Sequence, residues 1–171
     1  RLLRYVLNKD NSTTIGKELD FLNDYCSLCL LRFGNRLSYD ISCPESLRGL
    51  SLPKLLMQPL VENALFHGIE PKGCAGKIVI RAEKAAVTGS RPALVISITD
   101  GGVGMSPETI RSVLSGEASP SADFFKQVGI NNVDKRIKYS FGPEYGIRIE
   151  SVVDEYTTMV ITLPYMISER I

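Results

Sequence analysis

Ala93-Leu94-Val95-Ile96-Ser97-Ile98-Thr99-Asp100-Gly101-Gly102-Val103-Gly104-Met105 decides how this chain folds. Successive side chains of a strand point to opposite faces, so Leu94, Ile96, Ile98 and Asp100 share one face and the acid points where the aliphatic groups are buried. Desolvating an ionised carboxylate is costly unless a donor meets it. Working outward, Ser51 to His67 reads as a helix, with Asn63 eleven positions after Leu52. At about 100° per residue the two lie roughly 20° apart, which sets Asn63 in a stripe with Leu56 and Leu60. Two polar groups thus interrupt two apolar faces, as a pocket for a polar ligand would require.

The flanking segments show the company these two groups keep. Lys17 to Phe33 carries Leu19, Leu22, Cys26, Cys29 and Leu30 at three- and four-residue steps and predicts a long amphipathic helix. Leu37 to Ser42 reads as a strand, and Pro59 is expected to kink the Asn63 helix, which Gly68 would stop. Ile78, Ile80 and Ala82 alternate with Lys77, Val79, Arg81 and Glu83, and a turn over 88–92 returns the chain into the Leu94 strand as a hairpin. Ser106 to Leu114 predicts a short helix, Ser115 to Gln127 a mobile loop, and Gly129 opens a helix with Ile130, Val133 and Ile137 on one face. Gly146 to Val152 and Thr157 to Leu163 form a last hairpin. One apolar and one polar face per strand points to a mixed, mostly antiparallel sheet covered by helices on one side.

Composition narrows the function classes. The 171 residues, 44% of them hydrophobic, suffice for one well-buried domain. Twenty basic and nineteen acidic residues leave a formal charge of +1, which argues against a nucleic-acid footprint. No apolar run reaches membrane-spanning length. Cys26, Cys29, Cys43 and Cys74 lack paired zinc-ligand spacing and read as small hydrophobes of a reducing cytosol. Arg1 to Asn8 starts in mid-pattern, so a longer parent protein is expected.

Each polar candidate has two readings. Asp100 can accept a hydrogen bond from an exocyclic amine such as that of adenine, with Gly102 and Gly104 letting backbone approach a flat ring, or it can cap its own glycine turn. Asn63 offers an amide oxygen suited to Mg²⁺, or is satisfied by nearby backbone. Gly129 at a helix start offers free N–H groups to a phosphate, or is a plain loop-to-helix junction.

The order helix Asn, strand-end Asp with glycines, flexible loop, glycine-opened helix resembles the GHKL (Bergerat-fold) ATP-binding domain. Leu52-Pro53-Lys54-Leu55-Leu56-Met57-Gln58-Pro59-Leu60-Val61-Glu62-Asn63-Ala64 with His67-Gly68 resembles the N box of LytS/YesM-type sensor histidine kinases, and Leu31-Arg32-Phe33-Gly34-Asn35-Arg36-Leu37 the segment before it. The resemblance implies a two-layer α/β sandwich over 36–171, preceded by a helical segment, 1–35, that leads out of a phosphoacceptor and dimerisation region. It implies ATP and Mg²⁺ as cofactors: Asn63 on Mg²⁺, Asp100 on the adenine amine, and Gly102, Gly104 and Met105 shaping the G1 box. Gly129, Ile130 and Asn132 belong to the G2 box with Arg136 beyond it. Ser106 to Val128 would be the lid, and His67 and Lys126 would lie near phosphates. Implied partners are a response regulator receiver domain and the protein's own upstream dimerisation helix in a homodimer, the domain being cytoplasmic and the parent anchored in the bacterial inner membrane.

The chain departs from the pattern in four places. Gly101 stands where the family usually has Asn, Gln127 at the first G2 glycine, and Phe66 where many kinases carry Lys. Pro59 stands where ATP-hydrolysing relatives place a Glu, which favours transfer over hydrolysis. His67, the only histidine, is not the expected acceptor, since the Asn-Pro-His-Phe motif is missing. Two other readings stay open: a degenerate module that only senses nucleotide, and a dinucleotide binder, against which Gly101 to Met105 gives no G-x-G-x-x-G.

Overall fold

The computed structural model describes residues 11–86, 92–116 and 124–165, with residues 86 and 124–128 described by backbone alone. The five-stranded sheet runs β2 (Leu37–Ser42), β4 (Gly76–Ala86), β5 (Pro92–Asp100), β7 (Tyr156–Pro164), β6 (Gly146–Val152) from edge to edge. Only β2 and β4 pair in parallel; the other three ladders are antiparallel, the mixed sheet that the alternating strands predict. A separate small ladder joins β1 (Ser12–Thr14) to β3 (Ser51–Pro53).

The registers explain the one-sided core. Ile98 pairs with Ile80 on one side and Met159 on the other, and Ile96 with Ala82 and Ile161, so all of these stand on one face and all are buried. Burying each Ile or Met contributes about 1.5–3 kcal/mol. Helix α1 (Ile15–Phe33) gives Ile15, Leu19, Phe21, Leu22, Cys26 and Phe33 to the same core, and Thr14 caps its N-terminus. Ile130, Val133 and Ile137 enter it from a later helix, as their spacing predicts.

The Asn63 segment differs from expectation. Ser51–Pro53 is strand and the helix begins only at α2 (Gln58–Glu62). The β1 partner takes Leu52 into a ladder, so the angular comparison of Leu52 with Asn63 does not apply. Pro59 causes no kink because it sits in the first helical turn, where its missing N–H is not needed. Nor does Gly68 stop the helix: α2 passes into a π-helical stretch, Asn63–Ile69, and then into α3 (Glu70–Lys72), which ends at left-handed Gly73. The π winding is directly visible in the Glu70 N–H, which donates to the Leu65 carbonyl five residues back.

Helix α4 (Pro107–Ser115) matches the short helix expected over Ser106 to Leu114; it is capped by Ser106 and ended by left-handed Gly116. Helix α5 (Phe124–Phe141) starts five residues before Gly129, which corrects both the loop expected to reach Gln127 and the helix expected to open at Gly129. Neither Gly nor Pro interrupts 121–128, and Lys126 and Gln127 are good helix formers, so the helix extends backward. The expected N-terminal helix of Arg1 to Asn8, the hairpin turn and the middle of the proposed lid lie outside the described residues, as does the Lys126 side chain.

Candidate functional site

Asp100 ends the central strand β5 between Ile78 of β4 and Thr157 of β7, and the strand's parity leaves it 1% exposed. Its Oδ1 accepts the Gly102 N–H at 2.9 Å. Opposite stands Gly68, where a Cβ would lie 2.4 Å from that oxygen. A Cβ on Gly102 would in turn lie 2.3 Å from the Gly68 carbonyl carbon, and one on Gly104 (φ 70°) 2.1 Å from the Val152 carbonyl oxygen. The bare faces of Gly102 and Gly104 are therefore turned to protein backbone. Their smallness lets the strand-end turn close onto the helix and the β6–β7 turn.

Hydrogen bonds hold that closure. Val103 N–H donates to the Gly68 carbonyl at 3.0 Å, Asp154 N–H to the Val103 carbonyl at 2.7 Å, and buried Met105 donates its N–H to Ser151 Oγ at 2.8 Å. Lys72 Nζ donates to the carbonyls of Gly101 at 3.0 Å and Gly102 at 3.1 Å. Sequence reading passed over Lys72, which has no periodic signal.

Asn63 is 5% exposed, and its Nδ2 is buried without a hydrogen-bond partner. An orphaned buried amide costs about 1–3 kcal/mol and is the kind of defect that a bound group relieves. The π winding bonds residues five apart, so Asn63 and Gly68 mark the two ends of one widened turn beside Asp100. His67, between them, is half-buried.

The neighbouring departures acquire physical roles. Phe66 packs on Phe33 with ring centroids 6.2 Å apart and lies 5.2 Å from the Arg32 guanidinium, which bonds Glu70 at 2.5 Å. Phe66 thus joins the Asn63 rod to α1. Glu62 accepts from Gln58 Nε2 at 2.9 Å and also faces α1: burial, then the Glu62 charge, raises the Tyr25 hydroxyl well above its ordinary value.

On α5, Ile130 is buried in the core and Asn132 is exposed. It is buried Asn131 that is engaged, donating to the Leu114 carbonyl at 2.7 Å and packing where a Cβ on Gly116 would sit. Gly129 lies inside α5, so its N–H is not one of the free groups of a helix start. A Cβ there would touch only Pro59, at 3.7 Å. Buried Asp134 accepts from Ile147 N–H at 2.8 Å and from Lys138 Nζ at 2.7 Å. Sequence reading missed Asp134, although it stands four residues after Ile130 on the apolar stripe. Glu18, three after Ile15, carries the same signal.

No protein-family model matches the chain. Sensor histidine kinase YesM of Bacillus subtilis is 32% identical over 158 residues, 91% of this chain. BtsS of Escherichia coli, also a sensor histidine kinase, is 31% identical over 89% of the chain, and YpdA of the same organism 36% over 86%. In sequence and fold this is a LytS/YesM-type histidine kinase catalytic domain. It spans 24%, 24% and 25% of those three relatives. The nucleotide-free catalytic domain of histidine kinase ThkA overlays this kinase-type domain with a TM-score of 0.65 at 13% identity, covering 90% of this chain and 95% of that one. ThkA in complex with the response regulator TrrA gives 0.64 at 16% identity, covering 99% of this chain and 48% of that one. Among the described residues no helix is long and apolar enough to cross a membrane, and no three His, Cys, Asp or Glu side chains are grouped to hold a metal ion.

Proposed function

We propose that the domain binds Mg-ATP between sheet and helices and is the catalytic part of a protein histidine kinase. The observation carrying this reading is the pairing of a carboxylate buried at a strand end with a buried, unpartnered amide one π turn from the glycine that touches it. A carboxylate has about four acceptor positions, so the Gly102 bond does not exhaust Asp100, which would accept the adenine amine. Mg²⁺ fits the residues present: it takes few protein ligands beside phosphates and water, and a turned Asn63 amide presents its oxygen where the orphaned nitrogen now stands. Bound there, Mg²⁺ neutralises phosphate charge as it develops in transfer.

This chain's residues bind and orient. Lys72, Met105 and Ser151 fix the G1 turn, and Asn131 fixes the end of α4 against α5. Residues Gly129, Ile130 and Asn132 belong to the phosphate side by the family pattern alone, whereas His67 and Lys126 are assigned there by charge and position in the chain. Pro59 offers no base and Glu62 faces α1, so the γ-phosphoryl group passes to an imidazole nitrogen of a histidine outside this chain, leaving ADP. A response regulator aspartate then receives it. The parent acts as a homodimer joined through an upstream helix, with this domain on the cytoplasmic side of an inner-membrane protein.

Calorimetric titration with Mg-ADP tests the binding site: the wild-type domain binds, and Asp100→Asn does not. Equal affinity in both removes Asp100 from the site. Labelled ATP given to the full-length parent tests the transfer. Binding without label on protein would instead establish the nucleotide-sensing module to which Gly101, Gln127 and Phe66 point.

A further inference from the structure

Glu18 is fully buried and takes no part in the proposed nucleotide contacts. Its Oε2 accepts the Leu55 N–H at 2.9 Å and its Oε1 the Met57 N–H at 3.0 Å. Both donors belong to the turn that launches α2. That turn has no side-chain cap of its own. Met57, the N-cap, supplies no side-chain hydrogen bond to the helix, and Leu55 is held in the left-handed region at φ 57° although it is not glycine. Such a conformation costs about 1–3 kcal/mol and persists only where surroundings over-determine it. A carboxylate from α1 accepts the N–H of the N-cap itself, the bond that the third residue of a capping box would make from within α2, and its charge suits the positive end of the helix.

Asn63 follows Met57 by six residues, less than two turns of helix, so a shift in the launch turn reaches it with little to absorb the movement. Arg136 of α5 grips the same turn, its Nη2 donating to the Lys54 carbonyl at 2.5 Å. The launch turn is thus where α1, the Asn63 rod and the G2-side helix meet.

We infer that Glu18 is the positioning residue for the metal-binding amide: through the Leu55 and Met57 N–H groups it sets the depth and rotation of the helix that carries Asn63. The inference rests on the reading of Asn63 as the Mg²⁺ ligand. It also makes α1 the element through which anything that moves this helix alters metal-dependent nucleotide binding.

The test compares ADP affinity in excess Mg²⁺ and in EDTA, by calorimetry, for the wild type, Glu18→Gln and Glu18→Ala. Circular dichroism selects a temperature at which each protein is folded. Glu18→Gln keeps the side-chain length and one acceptor but turns an amide N–H toward a backbone N–H. The expected result is that the gain in affinity conferred by Mg²⁺ falls by about tenfold in Glu18→Ala, as for other residues that orient a metal ligand, and by a smaller factor in Glu18→Gln. The affinity in EDTA stays at the wild-type value. A loss that is equal with and without Mg²⁺ makes Glu18 a stabilising residue only and overturns the inference. If the Ala variant does not fold, an undiminished Mg²⁺ gain in Glu18→Gln overturns it equally. A wild type that binds ADP with no Mg²⁺ gain defeats the reading of Asn63 itself, a result separate from either.

Discussion

Replacing Gly68 by alanine puts the contact between helix and strand end to its severest test. The added Cβ would stand 2.4 Å from Asp100 Oδ1 and 2.9 Å from its Cγ, against 3.4 Å for ordinary contact, so one partner must retreat by about 1 Å. Asp100 has little freedom to do so: its backbone pairs with Ile78 and Thr157, and Oδ1 is held by the Gly102 N–H. Overpacking costs about 1–3 kcal/mol and loss of a hydrogen bond to a charged acceptor about 1.5–3 kcal/mol. Alanine's better helix propensity returns up to about 1 kcal/mol, leaving a net loss of about 1.5–5 kcal/mol. In urea titration the midpoint should fall at unchanged slope, and for a domain of this size the melting temperature should fall by about 5–15 °C. Gly101→Ala is the matched control in the same turn, because a Cβ there meets nothing within 4 Å; it should stay within about 0.5 kcal/mol of wild type. Gly68→Ala as stable as Gly101→Ala would refute the close approach on which the site's geometry depends.

Asp134→Ala should lose about 1–3 kcal/mol in urea titration, because it leaves the Ile147 N–H buried and unpaired; a neutral result would mean that β6 does not lean on α5. Burial lifts the Cys26 thiol from its ordinary 9.0 to about 12, and a folded value above the unfolded one means stability that is full below pH 9 and lost as pH rises toward 12. The alkaline slope of unfolding free energy, measured by urea titration at successive pH, should therefore lessen in Cys26→Ala by up to about 1.4 kcal/mol per pH unit. With a thiol reagent at pH 8, exposed Cys74 should react first and Cys26 only on unfolding, and equal rates would contradict the burial of Cys26.

Strand parity made Asp100 and its burial legible, because alternation is a local property that pairing partners merely confirm. The same held for α1 and for Ile130, Val133 and Ile137, whose stripe is helical in any context. The helix start at Gln58 was not legible: Ser51–Pro53 is drawn into a ladder by β1, some forty residues earlier, and tertiary pairing overrides local pattern. Gly68 looked like a stop signal because glycine usually ends helices, whereas here its missing side chain admits a carboxylate from another element. Gly129 misled because it lies inside α5 and not at its start. Glu18 and Asp134 carried a usable signal, a charged residue within an apolar stripe, and their partners are backbone N–H groups that sequence does not reveal.

The wide turn from Asn63 to Ile69 fixes how this region can change over time. At its half-buried positions, Phe66 and His67, a single replacement alters local contacts and leaves the winding in place. A gained residue is another matter: an insertion turns everything after it by roughly 100° about the axis, carrying Gly68 away from the acid it accommodates and Lys72 away from its carbonyls. Substitution can therefore recolour the rod letter by letter, while its count from 63 to 72 cannot grow.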